Sequence, residues 1–187
     1  MAAERKVAVL VGSLRRDSLN RKLAQVLADL APPALKLGIV EIGALPLFDQ
    51  DHEAEPPAVV REFKQAIASS DAVLFVTPEY NRSVPGVLKN AIDVGSRPYG
   101  QSAWAGKPAA VISLSPGAIG GFGANHHLRQ SLVFLDMPAM AQPEAYVGSG
   151  AKLFTADGSV AVAETREFLQ KFMAAFAAWI ERNLRAT

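Results

Sequence analysis

The sequence predicts an α/β protein in which a doubly wound sheet of five parallel strands is covered by helices on both faces. Short apolar runs alternate with amphipathic segments along the whole chain, which is the pattern of repeated strand–helix units. The apolar runs are continuous and rich in β-branched residues, as strands buried on both faces are. Because crossovers between parallel strands are right-handed, this alternation leaves few topologies.

Each element in the first half of the chain has its own signal. Apolar runs predict strands at about 6–11, 35–42 and 72–77. Apolar residues at helical spacing predict a first helix over about 18–30, which Pro32-Pro33 terminates. Pro56-Pro57 opens the second helix, because proline is tolerated in a first helical turn.

The second half continues the same alternation. Pro85, at a first helical position, starts a third helix that ends near Gly95. The remaining predicted elements are a strand at 109–114, a helix at about 124–134, a strand around 138–140 or slightly later, and a last helix at about 160–184. The broad apolar stripe of the last helix indicates packing against the sheet.

The loop between the first strand and the first helix has the composition of a phosphate site. It reads Gly-Ser-Leu-Arg-Arg-Asp-Ser-Leu-Asn over residues 12–20. Backbone N–H groups and the dipole at a helix N-terminus favour an anion, and hydroxyl, amide and guanidinium groups add hydrogen bonds. The alternative is an ordinary turn in which Ser18 is an N-cap and the arginines Arg15 and Arg16 are solvated.

Two further loops are expected to meet this one. With strand order 2-1-3-4-5, the carboxyl ends of strands 1, 3 and 4 converge where the winding direction reverses. Loops 12–20, 77–85 and 115–123 follow those three strands. The sequence therefore predicts a ligand site at this edge of the sheet.

Three motifs carry a family resemblance. They are Gly-Ser-Leu-Arg-x-x-Ser-x-Asn at 12–20, Pro-Glu-Tyr-Asn-x-Ser-x-Pro-Gly-x-Leu-Lys-Asn-Ala-Ile-Asp at 78–93, and the stretch from Ile119-Gly120-Gly121 to His127-Leu128-Arg129-Gln130. The first two resemble the NADPH-dependent FMN reductase family, flavodoxin-like flavoproteins that include quinone, azo-dye and chromate reductases. The third looks like the chromate and quinone reductase branch.

The resemblance implies a single flavodoxin-like FMN-binding domain over 1–187. The first loop would hold the flavin phosphate, the second one edge of the ring through backbone groups, and the third would approach the ring closely because its residues are small. The implied cofactor-binding residues are Ser13, Arg15, Ser18, Asn20, Pro78, Glu79, Tyr80, Asn81, Ser115, Gly117 and Gly120. The alternatives are a surface carboxylate for Glu79, an interfacial aromatic for Tyr80 and turn geometry alone for the glycines.

The implied activity is an FMN-dependent NAD(P)H oxidoreductase that reduces quinones or related small acceptors by ping-pong hydride transfer. NADPH and NADH both remain open as co-substrate. No catalytic side chain is expected, because the chemistry lies on FMN and the chain has no cysteine. The three histidines lack a metal-ligand pattern, so no metal is expected.

Two other functions remain as alternatives. One is a reductase that supplies free reduced flavin to a monooxygenase. The other is a flavodoxin-type electron carrier, against which the resemblance offers two arguments: the first loop lacks the Thr-x-Thr-Gly-x-Thr pattern typical of flavodoxins, and the chain is not strongly acidic, with a net charge of +1.

Composition sets expectations for partners and location. The small net charge and interspersed acidic and basic residues do not indicate a nucleic-acid or membrane partner. Residues 1–6 do not resemble a secretory signal, which favours a cytoplasmic protein. The exposed-looking Tyr80 and the apolar residues Val87, Leu88, Ala91 and Ile92 favour an interface, hence a homodimer or homotetramer, the assemblies that the resemblance also implies.

Overall fold

The sheet has the predicted architecture in a computed structural model that describes residues 4–184. All five strands are parallel, in the order β2-β1-β3-β4-β5. The strands are β1 (Arg5–Val11), β2 (Leu35–Ile39), β3 (Ala72–Thr77), β4 (Ala109–Leu114) and β5 (Ala145–Val147). Every residue of β3 and β4 is buried, because both strands lie inside the sheet and both faces are covered.

Helices cover the two faces of the sheet in two layers. They are α1 (Leu19–Leu30), α2 (Ala58–Ala68), α3 (Gly86–Ser96), α4 (Phe122–Phe134) and α5 (Ala163–Leu184). Alternate residues of β1 point to opposite faces, so Val7 and Val9 join a core with α1 and α5, whereas Ala8 and Leu10 join one with α2, α3 and α4. Two hydrophobic cores thus lie on opposite faces of the sheet.

The fifth strand lies at the later of the two positions that the sequence allows. Residue Ala139 forms only a single parallel bridge with Ala109. The Pro138 carbonyl accepts from Ala109 N, and Met140 N donates to Ala109 O, but the pairing goes no further. The chain then crosses to the other end of β4, where β5 pairs with Ile112–Leu114.

Several boundaries differ from the predictions. Pro85 is the N-cap of α3 and not its first helical residue, and Ser18 likewise is the N-cap of α1. Strand β2 ends at Ile39 and not near Ile42, because the following chain turns away after Val40 N donates to Val9 O. Helix α4 begins earlier and α5 later than predicted.

The apolar side of α3 is used inside the chain. Leu88, Ala91 and Ile92 are buried, so they do not supply the surplus that the sequence analysis assigns to a subunit interface. The loop after α3 folds back and places Trp104 on this helix, where its Nε1 donates to Ile92 O at 3.0 Å. A Cβ at Gly95 would lie 2.5 Å from the Trp104 ring, so the glycine is needed for this contact.

Among the described residues, no helix is both long and apolar enough to cross a membrane.

Candidate functional site

Three loops meet at the carboxyl edge of the sheet, as predicted. The register of β1 with β3 pairs Val11 with Val76, and that of β3 with β4 pairs Thr77 with Ser113, so the strands end side by side. Gly12 N also donates to Val76 O at 2.9 Å, which fixes the start of the first loop beside β3. Loop 1 is defined as residues 12–20, which includes the first two residues of α1, loop 2 as residues 78–85 and loop 3 as residues 115–121.

Loop 1 carries buried polar side chains at the start of α1. Ser13, Ser18 and Asn20 are all buried. The Ser18 hydroxyl accepts from Arg21 N at 3.2 Å, so Ser18 is an N-cap as the alternative interpretation holds. A hydroxyl that accepts can still donate its own proton, which leaves the Ser18 proton free for an anion.

Asn20 has a polar atom that the protein leaves unsatisfied. Its Nδ2 donates to Leu114 O at 3.2 Å, which ties α1 to the end of β4. Its Oδ1 is buried and has no hydrogen-bond partner among the described residues. A buried acceptor without a donor costs free energy, about 1–3 kcal/mol, so the site favours a ligand with a hydroxyl or N–H group here.

The two arginines of loop 1 are free cations. Within residues 4–184, neither Arg15 nor Arg16 lies within ion-pair distance of a carboxylate, and both are exposed. Arg15 lines an open depression of about 430 Å³, within the range of small-ligand sites. The other lining residues come from loops 1 and 2 and the start of α3: Gly12, Leu14, Tyr80, Pro85, Gly86 and Val87.

Loop 2 ends in a tight, strained turn. Tyr80 N donates to Ser83 O at 3.1 Å and Ser83 N to Tyr80 O at 3.0 Å. Between them, Asn81 and Arg82 both have left-handed backbones, with φ of 51° and 62°. This is the geometry of a type I′ turn, in which the second central position usually holds glycine. An arginine there carries strain of the order of 1–2 kcal/mol.

The Glu79 side chain is turned away from the depression. Its Oε2 accepts from Ala124 N, in the first turn of α4, at 3.0 Å. Its Oε1 lies 3.5 Å from Arg82 Nη1, and the side chain is only 13% exposed. Only the backbone of Glu79 is therefore available to a ligand in the way the sequence analysis expects, and the surface-carboxylate alternative is wrong.

The glycines of loop 3 differ in what surrounds them. A Cβ at Gly117 would meet nothing closer than Ser115 Oγ at 3.7 Å, so Gly117 faces open space. A Cβ at Gly120, where φ is 67°, would lie 2.6 Å from the Tyr146 carbonyl carbon. Packing against the β5 backbone thus requires Gly120, whatever a ligand requires.

The loop after β5 also packs closely against loop 3, here through a glycine of its own. A Cβ at Gly148 would lie 2.4 Å from Ala118 O. Ser149 N donates to Gly117 O at 3.1 Å and Gly150 N to Ser115 O at 3.0 Å. Loop 3 is therefore held by bare backbone on one side and leaves its other side free.

A buried polar network beneath loop 3 is absent from the sequence predictions. The Asn125 Nδ2 lies 3.3 Å from Ser113 Oγ and donates to Ala145 O at 3.2 Å. Arg129 Nε donates to Asn125 Oδ1 at 2.9 Å. These bonds join α4 to β4 and β5, and the sequence signal was only a polar residue in an apolar helical face.

An aromatic cluster lies beside this network on the surface. The rings of Phe122, His126 and Tyr146 stack with centroids 4.2–5.9 Å apart. His126 Nε2 and the Tyr146 hydroxyl are 2.9 Å apart. Burial, and then the neighbouring Glu144, raise the pKa of Tyr146 to about 12. The Tyr146 hydroxyl, which is protonated at neutral pH even at its usual pKa, therefore keeps its proton further into the alkaline range. No group of three or more His, Asp or Glu side chains that could hold a metal is found over residues 4–184.

The residues present fit a flavin mononucleotide. The start of α1 offers N–H groups, two serine hydroxyls and the Arg15 cation for one phosphate, and Asn20 Oδ1 requires a donor such as a ribityl hydroxyl. The depression beside Tyr80 and Arg15 offers room next to that anchor. These features fit the phosphate and the hydroxyl groups of such a ligand.

Comparisons with known proteins agree with the fold and the motifs. The sequence profile of the NADPH-dependent FMN reductase family matches residues 5–152. The chain is 66% identical over 178 residues to a quinone reductase of Pseudomonas putida, covering 95% of each chain. It is 53% identical over 175 residues to a 2-hydroxy-1,4-benzoquinone reductase of a Burkholderia species, covering 94% of this chain and 96% of that one.

A solved structure is similar over nearly the whole chain. FerB, a flavoenzyme NAD(P)H:(acceptor) oxidoreductase from Paracoccus denitrificans, has a TM-score of 0.91 at 50% identity and covers 96% of this chain and 98% of its own. A flavodoxin from Pseudomonas aeruginosa, at 20% identity and a TM-score of 0.57, shares the fold alone. The family match spans most of the chain and includes all three loops, so the chain belongs to the NADPH-dependent FMN reductase family.

Proposed function

We propose that this chain is an FMN-dependent NAD(P)H oxidoreductase that reduces quinones or related small electron acceptors. The observation that carries the proposal is on loop 1, where the free Arg15 cation and the unpartnered Asn20 Oδ1 stand at the start of α1. Both groups call for a ligand that combines an anion with hydroxyl donors. The quinone reductase and the FerB flavoenzyme, at 66% and 50% identity, support the acceptor class and the co-substrate.

Each loop has one part in the proposed site. Loop 1 holds the phosphate of FMN and the ribityl chain next to it through Ser13, Arg15, Ser18 and Asn20. The other proposed binding residues are Pro78, Glu79, Tyr80 and Asn81 of loop 2, and Ser115, Gly117 and Gly120 of loop 3. Within this set, Gly117 approaches the ligand closely, whereas Gly120 keeps loop 3 in place.

The chain itself contributes binding and orientation. When bound, FMN would supply hydride acceptance and hydride donation. Loop 2 stiffens at Pro78 and presents backbone groups, and loop 1 neutralises the phosphate charge. No side chain has an acid or base role, so the nicotinamide and the acceptor use one open face in turn. NADPH and NADH both fit this scheme.

Cofactor identity is the first test. Heating the purified protein should release one FMN per chain, identified by chromatography against FMN and FAD standards. Release of FAD, or failure of the apoprotein to bind added FMN, contradicts the proposal.

Kinetics test the shared face. Double-reciprocal plots of NADPH oxidation at several fixed quinone concentrations should be parallel. Intersecting lines, with a ternary complex trapped on the oxidised protein, contradict a single shared site. FMN that leaves in each cycle indicates instead the supply of free reduced flavin, and NADPH consumption that requires a protein acceptor indicates a carrier.

We also propose a homodimer or homotetramer. Because the apolar side of α3 is buried, other exposed apolar side chains would form the interface. Apolar and charged side chains together line a small cavity of about 130 Å³ between the 46–57 segment and the end of α3, and the exposed Leu47 and Phe48 are among them. Leu47 is 84% exposed and Tyr99 is 86% exposed. Val133 and Phe134 form a second exposed pair at the end of α4. Two such surfaces suit a dimer or a dimer of dimers.

A cytoplasmic location remains proposed, because NAD(P)H is supplied there.

A further inference from the structure

Helix α4 begins without a cap of its own. Its N-cap is Gly121, which has no side chain, and its first turn contains no acidic residue. The first N–H groups of a helix need acceptors from outside the helix. Glu79 supplies one from loop 2, since its Oε2 accepts from Ala124 N at 3.0 Å. The cap of this helix is therefore a residue 45 positions away in the sequence.

Two more contacts fasten loop 2 to the same helix. The Ser83 hydroxyl lies 2.7 Å from His127 Nδ1, one turn further along α4. A Cβ at Gly123 would lie 2.9 Å from Glu79 Oε2 and 3.0 Å from Arg82 O. Helix α4 thus has no side chain where residues 80–83 of loop 2 pack on it. These residues fit closely against the first two helical turns of α4.

The turn that is fastened is the strained one. Asn81 and Arg82 keep left-handed backbones that L-residues avoid. Such a conformation persists only where its surroundings hold it. Glu79 precedes the turn and Ser83 closes it, so the two contacts with α4 lie on either side of the strain.

We propose that Glu79 is a positioning residue that clamps loop 2 to α4 and so fixes the backbone groups that contact FMN. The inference rests on the proposed function, because it concerns the same site. The clamp joins loop 2 to the helix that follows loop 3, so both loops that would contact the ring keep one spacing. Glu79 acts through Ala124 and Arg82 and not by touching the cofactor with its side chain.

The test compares two substitutions of one residue. Glu79→Ala removes the acceptor, whereas Glu79→Gln keeps a carbonyl oxygen for Ala124 N and removes only the charge. We expect the FMN dissociation constant of the apoprotein, from fluorescence titration, to rise about tenfold for Glu79→Ala and to stay within about threefold for Glu79→Gln. Glu167→Ala, which removes an exposed carboxylate from helix α5, is the matched control and should bind FMN as the wild type does.

Several outcomes overturn the clamp. One is an unchanged FMN affinity for Glu79→Ala. Another is an equal defect for the Gln and Ala variants, which would assign the effect to charge. A third is a lower melting temperature for Glu79→Ala with unchanged FMN affinity of the folded protein, which would show a purely structural role.

A second variant serves if Glu79→Ala does not fold. His127→Ala releases Ser83 from α4 on the exposed surface and should also weaken FMN binding. Unchanged binding for it contradicts the clamp. The wild-type titration is read separately: absence of FMN binding there contradicts the proposed function, whereas the variants are compared only with a wild type that binds.

Discussion

At the scale of single residues, the site is defined by groups that lack partners. Arg15 has no carboxylate near it within the described chain, and Asn20 Oδ1 has no donor. The polar and cationic residues between the first strand and the first helix predicted a phosphate site formed by Ser13, Arg15, Ser18 and Asn20. Their burial and the unsatisfied oxygen could not be predicted, because both depend on how α1 packs against the end of β4.

Arg15→Ala should weaken FMN binding more than it alters turnover of the loaded protein. Loss of one charge-assisted hydrogen bond to a phosphate costs about 1.5–3 kcal/mol, or roughly ten- to hundredfold in dissociation constant. Titration of the apoprotein measures the change. Arg16→Ala, which removes the neighbouring exposed cation, is the control, and equal losses for the two variants would show a general charge effect.

Arg82→Gly should stabilise the protein relative to Arg82→Ala. Both variants lose the contact with Glu79, but only glycine is relaxed at a φ of 62°. We expect the free energy of unfolding of the glycine variant to exceed that of the alanine variant by about 1 kcal/mol, from urea denaturation. Equal values would mean that the left-handed backbone carries no strain.

At the scale of elements, the helices and strands followed from the sequence, but the contacts between loops did not. The alternation of apolar runs located four of the five strands and predicted a fifth around 138–140 or slightly later, where Ala139 forms only a single bridge and β5 follows at 145–147. Glu79 illustrates the limit. Its motif places it in loop 2, yet its carboxylate accepts a hydrogen bond from the first turn of α4. No local sequence pattern connects two segments that meet only after folding.

Substitutions at Gly117 and Gly120 of loop 3 should have different effects on stability and on FMN binding. Gly120→Ala places a Cβ against the Tyr146 backbone at a positive φ, so we expect a loss of roughly 2–4 kcal/mol in the free energy of unfolding. Gly117→Ala adds a methyl group in open space and should leave that free energy nearly unchanged while it weakens FMN binding. Melting curves and FMN titrations of both variants check this, and a destabilised Gly117→Ala would contradict it.

At the scale of the whole molecule, the sheet topology was the most predictable feature. Right-handed crossovers leave few strand orders, and the order 2-1-3-4-5 of the flavodoxin-like fold, which the structure has, places the three motifs at one edge. The surface was the least predictable feature. The apolar residues of α3 form part of the core because Trp104 folds onto that helix, and the exposed apolar residues lie elsewhere.

Leu47→Asp should reduce the assembly to a smaller species. A carboxylate in a buried apolar contact is costly, so the surface around Leu47 would no longer pair. Light scattering at micromolar concentration should give a mass above that of one chain for the wild type and a lower mass for this variant. Val162→Asp, at an exposed apolar residue outside both proposed surfaces, is the control. A monomeric wild type with full activity contradicts the proposed assembly.

The interlock between loop 3 and the loop after β5 restricts how this protein can be altered. Gly120 lies against the backbone of β5 and Gly148 against the backbone of loop 3, both with no room for a methyl group, so a substitution at either glycine demands a shift of the segment opposite it. To change the range of electron acceptors by substitutions in loop 3 or in the loop after β5, both segments would have to be rebuilt at once. The exposed side chains of Leu14, Tyr80 and Phe122 carry no such constraint. A variant library aimed at new acceptors therefore belongs at those three positions, with the glycines left as they are.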